Sequence, residues 1–150
     1  MNKRISIGRV EPDAYKAMLA FDKYLDTTGL TRIHRDLIKI RTSQVNGCAY
    51  CVDKHIREAI EAGGNEQRIH ALVVWRDTPF FTEEERALLA LTEEVTLIQH
   101  HVSDETYSRA ADLLGEKYLA QVIMAIISMN AWNRIGISTA MQPALRPLNC

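Results

Sequence analysis

The sequence predicts an all-α fold, on three observations. Apolar residues recur at spacings of three and four along nearly the whole chain. No alternating run bounded by turn residues reads as a strand, and no fixed-period repeat suggests a solenoid. At 150 residues, 47% hydrophobic and 25% charged, the composition is that of a globular chain with material for one core. The expectation is a single domain, residues 1–150, of six to seven helices.

The first helix opens at Pro12, whose missing N–H needs no partner in a first turn, carries Tyr15, Met18, Leu19 and Leu25, and stops by Gly29. A second begins at Thr31, with Ile33, Leu37, Ile40 and Val45 on one side and Arg32, Arg35, Lys39 and Arg41 largely on the other. Asn46-Gly47 ends it, both residues tolerating left-handed backbone. The third runs from about Cys48 to Gly63-Gly64, and a fourth, capped by Asn65, reaches Trp75. Residues 76–81, with Pro79, form a linker. Thr82 and Glu85 then make a capping box for a fifth helix, whose stripe is Ala87, Leu88, Leu91, Val95 and Ile98. Ser103 caps a sixth over 104–114, and Gly115 separates it from a long seventh that is apolar on most sides.

That last segment, Tyr118 to Ile137, has the length of a membrane span but contains Gln121, Asn130, Asn133 and Arg134, whose burial in lipid is costly. It reads as a buried central helix. A chain this short has few helices to cover it, so a second copy is expected against it, making a homo-oligomer. Eighteen Lys and Arg balance 19 Asp and Glu, leaving no positive excess for a nucleic-acid partner. Three cysteines suit a reducing compartment rather than a disulfide scaffold, and Met1 to Pro12 carries Lys3, Arg4 and Arg9 without an apolar signal region. The expected location is cytoplasmic.

Chemistry concentrates in Cys48-Ala49-Tyr50-Cys51 and His55. On a helix, Cys51 and His55 lie about 60° and 20° around the axis from Cys48, so the three share a face. The helix start offers free amides and the positive end of its dipole to both sulfurs, favouring thiolate. A thiolate attacks peroxides and disulfides, and a second thiol three residues away traps the sulfenic acid as a disulfide; His55 is placed to take the thiol proton. Two other readings compete: a zinc site using Cys48, Cys51, His55 and one of His34, His70, His100 or His101, and two inert core cysteines.

The segment Arg41-Thr42-Ser43-Gln44-Val45-Asn46-Gly47-Cys48-Ala49-Tyr50-Cys51 with His55 resembles the alkylhydroperoxidase AhpD-like branch of the carboxymuconolactone decarboxylase superfamily. The likeness extends to Thr82–Ala87 and Asn130–Arg134 and covers roughly residues 30–137. It implies an all-helical trimer or hexamer acting as a thiol-dependent peroxidase or disulfide reductase. By position it implies Cys51 as the peroxidatic cysteine, Cys48 as a more exposed resolving cysteine, His55 as a proton relay and Tyr50 as the aromatic between the cysteines. The family's glutamate falls on Asp36, one methylene shorter, which reads equally well as an ion pair with Arg32 or Lys39. No organic cofactor is implied; a hydroperoxide substrate and an external dithiol, thioredoxin-like or lipoyl-type reductant are. Lactone-decarboxylating members of the superfamily need no cysteine pair, so they are the rival reading.

Trp75 and Trp132 read as core or interface residues. Asn130, Asn133 and Arg134 need partners if buried, from a subunit contact or the site. His100-His101 reads as a solvated loop, and Cys150 as a spare thiol at the end of a tail with Pro143 and Pro147.

Overall fold

The computed structural model describes residues 4–146; Lys3, Pro147 and Cys150 lie outside them. Among the described residues there are eight α-helices and no strand: α1 (Ile7–Val10), α2 (Pro12–Asp26), α3 (Arg32–Asn46), α4 (Ala49–Glu61), α5 (Glu66–Ala71), α6 (Glu83–Thr96), α7 (Asp104–Leu114) and α8 (Glu116–Ser138). The extra element is α1. A four-residue turn is too short to carry a periodic apolar signal.

The foreseen caps at Asn65, Thr82 and Ser103 are realised, and Thr31, read only as a start, caps its helix as well. Thr31 accepts from the His34 amide, Asn65 from Arg68 and Ser103 from Thr106, and Thr82 and Glu85 form the reciprocal box. Gly47 closes α3 in the left-handed region at φ 69°, so the chain reverses at once into α4. Two boundaries differ. Helix α2 ends at Asp26, ahead of Gly29, and the expected fourth helix breaks at Ala71 into a 3₁₀ segment, Leu72–Asp77, in which Val74 leaves helical geometry. The cause is tertiary: the Trp75 indole is buried and donates to Glu93 at 2.8 Å, a carboxylate that also accepts from Arg41 and Arg76. Arg86 then donates to the carbonyls of Trp75, Arg76 and Thr78, fastening the linker to α6.

Helix α3 lies at the centre, packed on α4, α6 and α8. Ile38, Ile40, Leu72, Leu88, Leu91, Val122 and Ile126 are fully buried around it. Ile33, expected on its core side, is instead 52% exposed, while Thr42 and Ser43 are fully buried. Their burial follows from α8, where Asn133 is also fully buried, donates to Ser43 Oγ at 3.1 Å and accepts from Asn46 at 2.9 Å. Asn130 accepts from the same Asn46 amide and from Arg134, and donates to Thr96. Asn130, Asn133 and Arg134 of α8 thus find partners within the chain. Met124, Ile127 and Ile137 on α8 remain exposed in the single chain. No helix of the described residues is long and apolar enough to cross a membrane.

Candidate active site

Gly47 aims Cys48 into the N-cap of α4, where its amide donates to the Ser43 carbonyl at 3.0 Å. Cys51 follows in the first turn, and the two are joined as a disulfide with Cα atoms 5.3 Å apart. Both sulfurs are under α8. Cys48 and Cys51 are 2% and 4% exposed and pack against Met129, with Tyr50 and Trp132 at the edge. A Cβ at Gly136 would lie 3.1 Å from the Cys48 sulfur and 3.5 Å from that of Cys51. The missing side chain is what lets α8 close over the pair. The implied greater exposure of Cys48 is therefore corrected: as N-cap its sulfur turns beneath the α8 backbone, and Cys51 is the one that borders open space.

That space is a cavity of about 300 Å³ between α2, α3, α4 and α8, lined by Cys51, His55, Tyr50 and Glu58 of α4 and by Ile38 and Lys39 of α3. Tyr15 and Leu19 of α2 and Met129 and Trp132 of α8 complete an apolar wall. Trp132, expected as core or interface, is a wall of this cavity; Trp75 is core. Helix α2 is held over the cavity by Asp22, which accepts from the Trp132 indole at 2.8 Å and the Ser128 hydroxyl at 2.7 Å, and by the Tyr15 ring standing edge-on to Trp132.

His55 is buried one turn beyond Cys51. Its Nδ1 meets Glu58 Oε2 at 2.9 Å. With Nδ1–H donating to the carboxylate, the neutral ring keeps Nε2 as an acceptor. Burial pushes the His55 imidazole below its ordinary value, and the Glu58 hydrogen bond only partly opposes this, while Lys39 adds to it. For Glu58, burial favours the neutral acid, but the His55 hydrogen bond and the charges of Lys54, His55 and Lys39 outweigh it and hold the carboxyl below its usual range.

Asp36 does not supply the carboxylate for His55. It accepts from Arg32 Nε at 3.2 Å, the ion-pair alternative, and is absent from the cavity wall. Arg32 also donates to the Glu58 backbone carbonyl at 3.2 Å, so Asp36 touches the site only through that tie. Burial raises its carboxyl despite Arg32. Sequence reasoning missed Glu58, although its place three residues after His55 on one helix is a readable signal. It also missed Asp22, Lys39 and Gly136, which belong to the site through contacts far apart in the chain. Among the described residues no three His, Cys, Asp or Glu side chains are grouped to hold a metal ion.

Residues 12–94 match the carboxymuconolactone decarboxylase family. The chain belongs to that family. It is 39% identical over 145 residues to the uncharacterized protein YdfG of Bacillus subtilis, covering 96% of this chain and 99% of that one. Among solved structures, ATU0492 of Agrobacterium tumefaciens superposes with a TM-score of 0.93 at 35% identity, over 97% of this chain and all of that one; it is described as of unknown function and as a candidate AhpD antioxidant-defence protein. A peroxidase-related protein from Silicibacter sp. TM1040 shares the fold, with a TM-score of 0.79 at 20% identity, over 89% of this chain and 72% of its own. The family resemblance read from the Cys48–His55 segment is thereby established, and so is the all-helical AhpD-like fold.

Proposed function

We propose that the chain is a thiol-dependent hydroperoxide reductase. What supports this most is that Cys51 and His55 line one cavity while Cys51 is disulfide-bonded to Cys48. In the reduced protein His55 Nε2 takes the Cys51 proton, and the thiolate attacks the terminal peroxide oxygen. The O–O bond breaks, its electron pair leaves on the alkoxide, and the proton held by His55 passes to it; Cys51 becomes a sulfenic acid. The Cys48 thiol then attacks that sulfur, releasing water and closing the disulfide. An external dithiol restores both thiols.

The apolar side of the cavity, formed by Tyr15, Leu19, Met129 and Trp132, suits the organic part of a hydroperoxide, and the exposed Met124, Ile127 and Ile137 of α8 suit burial against further copies of the chain. The test is consumption of dithiothreitol driven by cumene hydroperoxide. Turnover is expected to vanish in Cys51→Ser, and a Cys51→Ser protein with wild-type turnover would overturn the assignment.

A further inference from the structure

The proposed cycle, on which this inference rests, brings two reactants to the sulfurs in turn: an oxidant and a thiol. We infer that both enter by the same cavity and both react at Cys51, so that the external thiol attacks the Cys51 sulfur and expels Cys48 as the leaving thiolate. The implied assignment of Cys48 as the exposed, resolving partner would direct the incoming thiol to Cys48 instead.

Access argues for Cys51. A thiolate must reach a disulfide sulfur from the side opposite its partner sulfur, and it needs room there. Cys51 borders the cavity of about 300 Å³ and Cys48 does not. Both sulfurs are buried beneath α8, with a carbon added to Gly136 falling 3.1 Å from Cys48 and 3.5 Å from Cys51, so the cavity is the side from which a reactant meets the pair, and it meets Cys51.

The leaving group argues the same way and independently. Cys48 is the N-cap of α4, and in the disulfide its sulfur makes no capping hydrogen bond. Once released, it stands where a side chain accepts from the amides of the second and third helical residues, Tyr50 and Cys51, at the positive end of the helix dipole. These features stabilise the thiolate and make the thiol more acidic, and the more acidic thiol leaves faster.

The step balances. The first thiolate of the dithiol bonds to the Cys51 sulfur, the Cys48–Cys51 bond breaks, and its electron pair departs on Cys48. The second thiolate then attacks the reductant's own sulfur in the mixed disulfide and releases Cys51. The dithiol loses two electrons and becomes a disulfide, the protein gains them, and the dithiol's two protons pass to the two cysteines or to solvent. Oxidant and reductant consequently exclude each other from the site.

The test uses protein oxidised with diamide, so its outcome does not depend on peroxide turnover. The oxidised chain is mixed with 2-mercaptoethanol, quenched within milliseconds in acid with N-ethylmaleimide, and mapped by peptide mass spectrometry. The expected product carries mercaptoethanol on Cys51 and maleimide on Cys48, in about tenfold excess over the reverse. A predominance of mercaptoethanol on Cys48, or an even mixture, overturns the inference. So does the absence of any adduct in the folded chain when the same disulfide reacts in urea. A Cys51 adduct in a protein that turns over no peroxide would sustain this inference while removing the proposed function.

Discussion

His55 is the residue on which the proton chemistry turns, and its partner decides how it behaves. Glu58 holds Nδ1 at 2.9 Å and favours the protonated ring, against the burial that lowers its pKa. Replacing Glu58 by Gln removes the negative charge, so the His55 pKa falls further. The acid limb of the peroxide rate profile is expected to move to lower pH, and the rate above it to drop as the ring loses its anchor. Stopped-flow oxidation of the reduced protein between pH 5 and 8 measures both; an unmoved limb would detach Glu58 from the chemistry. Asp36→Asn is the counterpart. It removes an i,i+4 ion pair with Arg32, itself 56% exposed, worth about 0.3–0.5 kcal/mol, and is expected to leave the profile in place.

At the scale of helices, the contact between α3 and α8 carries both the core and the site. Its polar centre is Asn133, fully buried and bonded to Asn46 and Ser43. Asn133→Ala leaves those groups short of partners in a closed interface, with an expected loss of about 1–3 kcal/mol, read from the urea midpoint. One turn along, Gly136 sets the spacing of α8 over the disulfide. A Gly→Ala exchange inside a helix normally gains about 1 kcal/mol in propensity, but overpacking costs about 1–3 kcal/mol. The oxidised Gly136→Ala protein is therefore expected to unfold at lower urea than the parent, and a higher midpoint would mean that α8 moves away without cost.

For the molecule as a whole, the buried His55 and the half-buried His34 govern stability in mild acid. His34 is lowered by burial, against the charges of Glu85 and Glu84, and its Nδ1 stands 2.7 Å from the Tyr118 hydroxyl; His55 is lowered by burial despite Glu58. Unfolded, both titrate near 6.5. Between that value and their lower folded values the unfolded chain binds more protons, so their contribution is complete above about pH 6.5 and is lost as pH falls. Glu58 and Glu93, held below their usual range by partners that outweigh burial, add a second loss below their ordinary 4.5. The urea midpoint is expected to be level from pH 8 to 7 and to decline toward pH 5.5. A midpoint that rises over that interval would contradict the burial of these rings.

Local order was readable from the residues themselves. The start at Thr31, the caps at Asn65, Thr82 and Ser103 and the stop at Gly47 act within one turn, and so does the placing of Cys51 and His55, four residues apart on α4, along one cavity. Hydrogen bonds and side-chain directions over three or four residues need no knowledge of the rest of the chain. Packing between distant helices settled what remained: that Arg32 holds Asp36 away from the cavity, that Trp132 is a wall of it, and that α8 covers both sulfurs with only Cys51 bordering the cavity. These depend on which faces meet and how closely, quantities set by the volumes and hydrogen-bond demands of residues as far as 110 positions apart.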